Sequence, residues 1–69
     1  MGINAKEIGK RVRDLRNEIN YTQQELADAV ELSLNEIGKF ESGLRVPSID
    51  AFLRISEFFG VTIDYLVRG

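Results

Sequence analysis

Covalent and acid–base catalysis need a nucleophile and a titrating partner, and this chain offers few. It has no His and no Cys, which leaves Ser, Thr, Lys and the carboxylates. None of these stands beside a recognisable base. The six glycines, Gly2, Gly9, Gly38, Gly43, Gly60 and Gly69, are scattered at spacings that fit neither a P-loop nor a dinucleotide fingerprint. The same absences remove disulfides and the commonest transition-metal ligands, and 69 residues are few to enclose a substrate cavity. Neither an enzyme, a metal site nor a cofactor is expected. What recurs is hydrogen-bonding chemistry at a fixed offset. Asn4-Ala5-Lys6-Glu7, Thr22-Gln23-Gln24-Glu25 and Ser33-Leu34-Asn35-Glu36 each place a short polar side chain three residues before a glutamate. That is the capping-box pattern, in which the first side chain accepts from the backbone of the fourth residue and the glutamate reaches back.

Three helix starts require three helices to follow them. Behind Asn4, the residues Ile8, Val12, Leu15 and Ile19 recur at helical spacing and predict a helix over about 5–19. Behind Thr22, Leu26, Ala27 and Val30 share one face; behind Ser33, Ile37 and Phe40 point inward until Gly43, which suits a left-handed cap. The only proline, Pro47, lies in the connection that follows, Ser48 caps a fourth helix ending at Gly60, and Thr62 caps a last short helix through Val67. The fourth helix is apolar around more than half its circumference. Phe52, Leu53, Ile55 and Phe59 are its expected core residues. The expectation is a single compact all-α, five-helix domain over 1–69. Helices two and three, separated only by Val30-Glu31-Leu32, form a helix-turn-helix over about 23–41.

Charge is distributed unevenly. Nine Lys and Arg against eleven Asp and Glu leave −2, which by itself argues against nucleic acid. Residues 1–16 nevertheless carry a balance of +3, residues 17–36 carry −5 with no base, and residues 37–69 cancel. Much of the −5 belongs to helix starts, where the macrodipole favours carboxylates whatever the protein binds. Glu36 is accordingly read as a capping residue rather than a base-reading one. No apolar run approaches the roughly 20 residues of a membrane span and no signal peptide is evident, so a cytoplasmic protein without a membrane partner is expected.

Several stretches in this order are similar to the lambda-repressor-like helix-turn-helix family, the xenobiotic-response-element group of bacterial and phage regulators. They are Ile8-Gly9-Lys10-Arg11-Val12-Arg13-Asp14-Leu15-Arg16 and Thr22-Gln23-Gln24-Glu25-Leu26-Ala27. They continue with Ser33, Ile37, Glu41 and Gly43, then Pro47-Ser48, then Gly60-Val61-Thr62-Ile63-Asp64-Tyr65-Leu66. The resemblance covers residues 8–67 and implies a DNA-binding transcription regulator. It implies that Gln23, next to the cap Thr22, binds a DNA phosphate at the start of the second helix. Ser33, Leu34, Asn35, Gly38 and Lys39 would then face the major groove. Asn35 suits adenine, Leu34 a thymine methyl, and Lys39 guanine or phosphate. Arg45 would grip the backbone, and Arg16 with Glu41 would form a structural ion pair.

Four positions depart from the family pattern. Glu31 stands where a turn glycine is usual, and Leu34, Leu44 and Val46 replace residues that are more often polar or basic. Gly38 either admits a base pair closely or avoids a clash with helix two. Phe58 stands where the family more often has a small residue, which suggests a homodimer contact made with Ile63 or Tyr65. The expected function is a repressor that binds an inverted-repeat operator as a dimer, with half-sites about one helical turn apart. No small-molecule effector is evident. The alternative is a protein-interaction module of the same fold, of antitoxin or antagonist type, whose acidic middle meets a basic partner and whose DNA binding is weak or lost.

Overall fold

The computed structural model describes residues 3–69, and five helices account for most of them. They are α1 (Ala5–Glu18), α2 (Gln23–Val30), α3 (Leu34–Ser42), α4 (Ile49–Phe59) and α5 (Ile63–Arg68). No strand occurs among the described residues. Each helix begins where a short polar side chain accepts from a backbone N–H three residues on: Asn4, Thr22, Ser33, Ser48 and Thr62. Two of these starts close as full capping boxes. Glu25 Oε1 accepts from the Thr22 N–H at 2.8 Å, and Glu36 Oε1 from the Ser33 N–H at 3.0 Å. The start at Asn4 does not close in that way, since the Glu7 carboxylate accepts from the Asn4 side-chain amide, at 3.5 Å, rather than from its backbone N–H.

The core is built from one stripe of each helix. Ile8 and Val12 of α1, Leu26, Ala27 and Val30 of α2, Ile37 and Phe40 of α3, Ala51, Phe52 and Ile55 of α4, and Leu66 of α5 are buried together. α1 packs on α3 and α5, α2 on α3 and α4, and α4 on α5. Such short helices are marginal in isolation, and this shared burial is what holds them. α1 approaches α3 so closely that Gly9 is required: a Cβ there would run into the backbone carbonyls of Phe40 and Glu41.

Two expected core positions lie elsewhere. Ile19 is not in α1 but is its C-cap, 43% exposed, because the chain turns back through Asn20 at φ 58° and Tyr21 N–H donates to the Arg16 carbonyl. Leu53 is 45% exposed. At 100° per residue, Phe52, Ile55, Ser56 and Phe59 make one stripe, and Leu53 and Ile49 are rotated off its edge. Ser56 takes the buried place and satisfies its hydroxyl by donating to the Leu53 carbonyl at 3.0 Å.

The turn between α2 and α3 is left-handed at Glu31, with φ 58° and ψ 41°. A side chain with a Cβ costs about 1–2 kcal/mol there. Arg54 of α4 offsets part of that cost by donating to the Val30 and Glu31 carbonyls at 3.4 and 3.2 Å, which caps the end of α2. Gly43, at φ 78°, closes α3 through Leu44 N–H to the Lys39 carbonyl at 3.0 Å.

Candidate nucleic-acid interface

The centre of the site is a buried carboxylate. Glu41, on the inner side of α3, has a side chain only 3% exposed and receives both Nε and Nη2 of Arg16, at 2.7 and 2.9 Å. A third donor is Gln23 Nε2, at 3.0 Å. Arg16 in turn donates Nη1 to the Tyr21 carbonyl at 2.6 Å. The hydrogen bond to Glu41 raises the Arg16 pKa against the opposing effect of burial. One carboxylate therefore fixes α1, the start of α2 and the end of α3 relative to one another.

At the start of α2, the Thr22 hydroxyl is used by the Glu25 N–H at 3.1 Å, and the Thr22 carbonyl by the Leu26 N–H. Among the described residues no acceptor reaches the N–H groups of Gln23 and Gln24. These, with the Gln23 amide held in place by Glu41, make a donor set suited to an anion. Ser33 and Glu36 are engaged with each other at the start of α3, and hydrogen bonding to Ser33, its backbone first, holds the Glu36 carboxyl below its ordinary pKa.

The outward side of α3 carries one open groove lined by Leu34, Asn35, Gly38, Lys39, Ser42 and Leu44. Four of the expected base-facing residues thus meet in one place, while Ser33 is exposed at the helix start and Arg45 in the following loop. A Cβ on Gly38 would meet nothing within 4 Å. Avoiding a clash with α2 is therefore not its purpose, and room on the outward face remains. The three residues expected at a dimer contact have different surroundings. Phe58 packs tilted against Tyr21 and edge-on against Phe59, with ring centroids 5.7 and 5.0 Å apart; Ile63 packs against the core; Tyr65 is 41% exposed.

The cations divide into two groups. Lys10, Arg11, Arg16, Arg54 and Arg68 each pair with a carboxylate. Among the described residues Lys6, Arg13, Lys39 and Arg45 have no such partner within 4 Å. Sequence patterns did not reveal Gly9, the tether from Gln23 to Glu41, or the two arginines that bind helix ends. Arg11 donates to the Leu66 and Val67 carbonyls at 3.0 and 2.9 Å, as Arg54 does at the end of α2. Only Gly9 left a trace, as a poor helix former inside an otherwise regular helix.

The model of the helix-turn-helix family matches residues 12–66. The chain belongs to that family, in its lambda-repressor-like, xenobiotic-response-element branch. Among curated members it is 40% identical over 63 residues to the transcriptional activator BcrR of Enterococcus faecalis, covering 91% of this chain and 31% of BcrR. It is 33% identical over 60 residues to the transcriptional regulator ImmR of Bacillus subtilis, covering 87% of this chain and 47% of ImmR. The helix-turn-helix chain thus spans less than half the length of either relative. Among solved structures, the P22 c2 repressor in complex with a synthetic operator superposes with a TM-score of 0.86 at 27% identity. That match covers 90% of this chain and 94% of the repressor chain.

Proposed function

We propose that this chain is a sequence-specific DNA-binding unit of a transcription regulator, acting in the cytoplasm. In this reading α3 enters the major groove. The observation that carries the proposal is the division of labour within α3. Ile37, Phe40 and Glu41 hold it to the core, and its other side leaves Leu34, Asn35, Gly38 and Lys39 lining an open groove, with Arg45 exposed in the loop that follows. Gln23 and the adjoining N–H groups of α2 take one phosphate, Arg45 another, and Asn35 pairs with adenine. Thr22 and Ser33 serve by holding the helix starts that present these groups.

Two copies bind an inverted repeat with half-sites about one helical turn apart, and Phe58, Ile63 and Tyr65 contribute to their contact. The relatives include an activator, and one solved neighbour is a repressor. Repression by covering a promoter is the simpler mechanism, because occupancy alone achieves it.

Selection from a pool of random duplexes by mobility shift tests the reading. A palindromic site bound by two chains, and bound more weakly by both Asn35→Ala and Gln23→Ala, is expected. Absence of any enriched duplex at low salt would reject DNA recognition and favour a protein-binding module of the same fold.

A further inference from the structure

The angle at which α3 stands on the domain is decided at its two ends. The far end is held by Glu41 through Arg16 and Gln23. The near end follows the left-handed Glu31, whose own N–H reaches the Asp28 carbonyl at a long 3.4 Å. Among the described residues no backbone N–H reaches the Val30 or Glu31 carbonyl, and the one side-chain donor that does is Arg54 Nη1, at 3.4 and 3.2 Å. Asp50, one turn earlier on α4, holds Nε of the same guanidinium at 3.1 Å and so aims Nη1 at the turn. Hydrogen bonding to Ser33 chiefly, and the charges of Arg45 and Arg54 in smaller part, lower the Glu36 pKa, which puts Arg54 within electrostatic reach of the first turn of α3 as well. α3 itself packs on α1 and α2. Arg54 thus ties α4 to the segment from which α3 departs.

We propose that Arg54 is a positioning residue for DNA recognition, fixing the turn before α3 and through it the direction in which Asn35 points. The inference rests on the DNA-binding reading above and adds to it a residue that touches no DNA. Arg54 lines a separate cleft with Val30, Glu31, Glu57 and Phe58, which shares no residue with the groove on α3. A glycine at the left-handed position would hold the turn by its own backbone freedom. With Glu31 there the conformation is disfavoured and has to be held from outside, which one guanidinium does from α4. The geometry makes the near end sensitive. Asn35 lies six residues before Glu41, a distance of about 9 Å along the helix axis. A tilt of about 6° around the Glu41 end therefore displaces it by about 1 Å, enough to spoil a bidentate hydrogen bond.

The duplex selected from the random pool is titrated with the parent chain, Arg54→Met, Asn35→Ala and the double variant, at a temperature where thermal melting shows each to be folded. The Arg54 side chain is 39% exposed, so water takes over its bonds to the two carbonyls and Arg54→Met still folds. Its affinity is expected to fall about tenfold, with the salt dependence unchanged because no phosphate loses a partner. Asn35→Ala is expected to cost less in the Arg54→Met background than in the parent, which is the mark of a displaced amide rather than of a weakened fold. Asp50→Asn, which releases Nε and leaves the turn itself untouched, is expected to shift affinity in the same direction by less. Binding equal to that of the parent, or losses that simply add, would overturn the positioning role and leave DNA recognition intact. A salt slope shallower by about 0.9 per chain would overturn it too, by making Arg54 a phosphate ligand. Failure to select any duplex would overturn both.

Discussion

At the scale of single residues, Glu41 shows how a charge can be tolerated in so small a core. Three donors surround it, so the cost of removing it from water is met by hydrogen bonds that no exposed pair makes. Arg16→Ala removes two of those donors and strands a carboxylate whose side chain is 3% exposed. A loss of about 3–5 kcal/mol is expected by urea denaturation, enough to consume most of the stability of a domain this size. A denaturation midpoint that hardly moves would show that the pair contributes little. The pairing of Arg16 with Glu41 was legible in the sequence only through resemblance, because 25 residues separate them and no local rule links them. Gln23 was legible as a residue at a helix start, but its bond to Glu41 depends on how α2 crosses the end of α3. Capping residues were the easiest to read, since Thr22 and Ser33 act on partners three residues away.

At the scale of elements, the helix ends were marked by chemistry and the helix faces less clearly so. All five starts coincide with Asn, Ser or Thr residues visible in the sequence. The faces of α1, α2 and α3 follow from apolar spacing, whereas α4 is apolar around so much of its surface that periodicity could not separate buried Ile55 from exposed Leu53. The turn joining α2 to α3 carries strain at the left-handed Glu31, which lacks the local tolerance that Asn20 has at the same φ. Glu31→Gly removes the Cβ penalty and gives back part of it as extra freedom of the unfolded chain. Its ion pair with Arg54, at 3.9 Å and with Glu31 86% exposed, is worth little. The net expectation is a gain of about 0.5–1 kcal/mol, read as a melting temperature higher by about 2–8 °C. A lower melting temperature would mean that the Glu31 side chain supports the turn rather than straining it.

For the whole molecule, a net charge of −2 misstates the surface that matters, because five of the nine cations are already paired with carboxylates of the same chain. Among the described residues Lys39 and Arg45 are the two cations near the proposed groove without a carboxylate partner. A dimer would thus direct four cations at DNA, and the logarithm of its affinity is expected to fall with the logarithm of salt with a slope of about −3.6. A slope of about −7 would mean that Lys6 and Arg13 also reach phosphates. The whole molecule also depends on how its last helix is held. α5 is six residues long, too short to persist alone, and is fastened by buried Leu66 and by the two bonds from Arg11 to its final carbonyls. Ile63 and Tyr65 lie on that helix, so a dimer contact there makes pairing of subunits and ordering of α5 a single linked equilibrium. In such an equilibrium dilution loosens the helix and a partner tightens it. Arg11, which reaches neither DNA nor a second subunit in this scheme, would then set the protein concentration at which an operator fills.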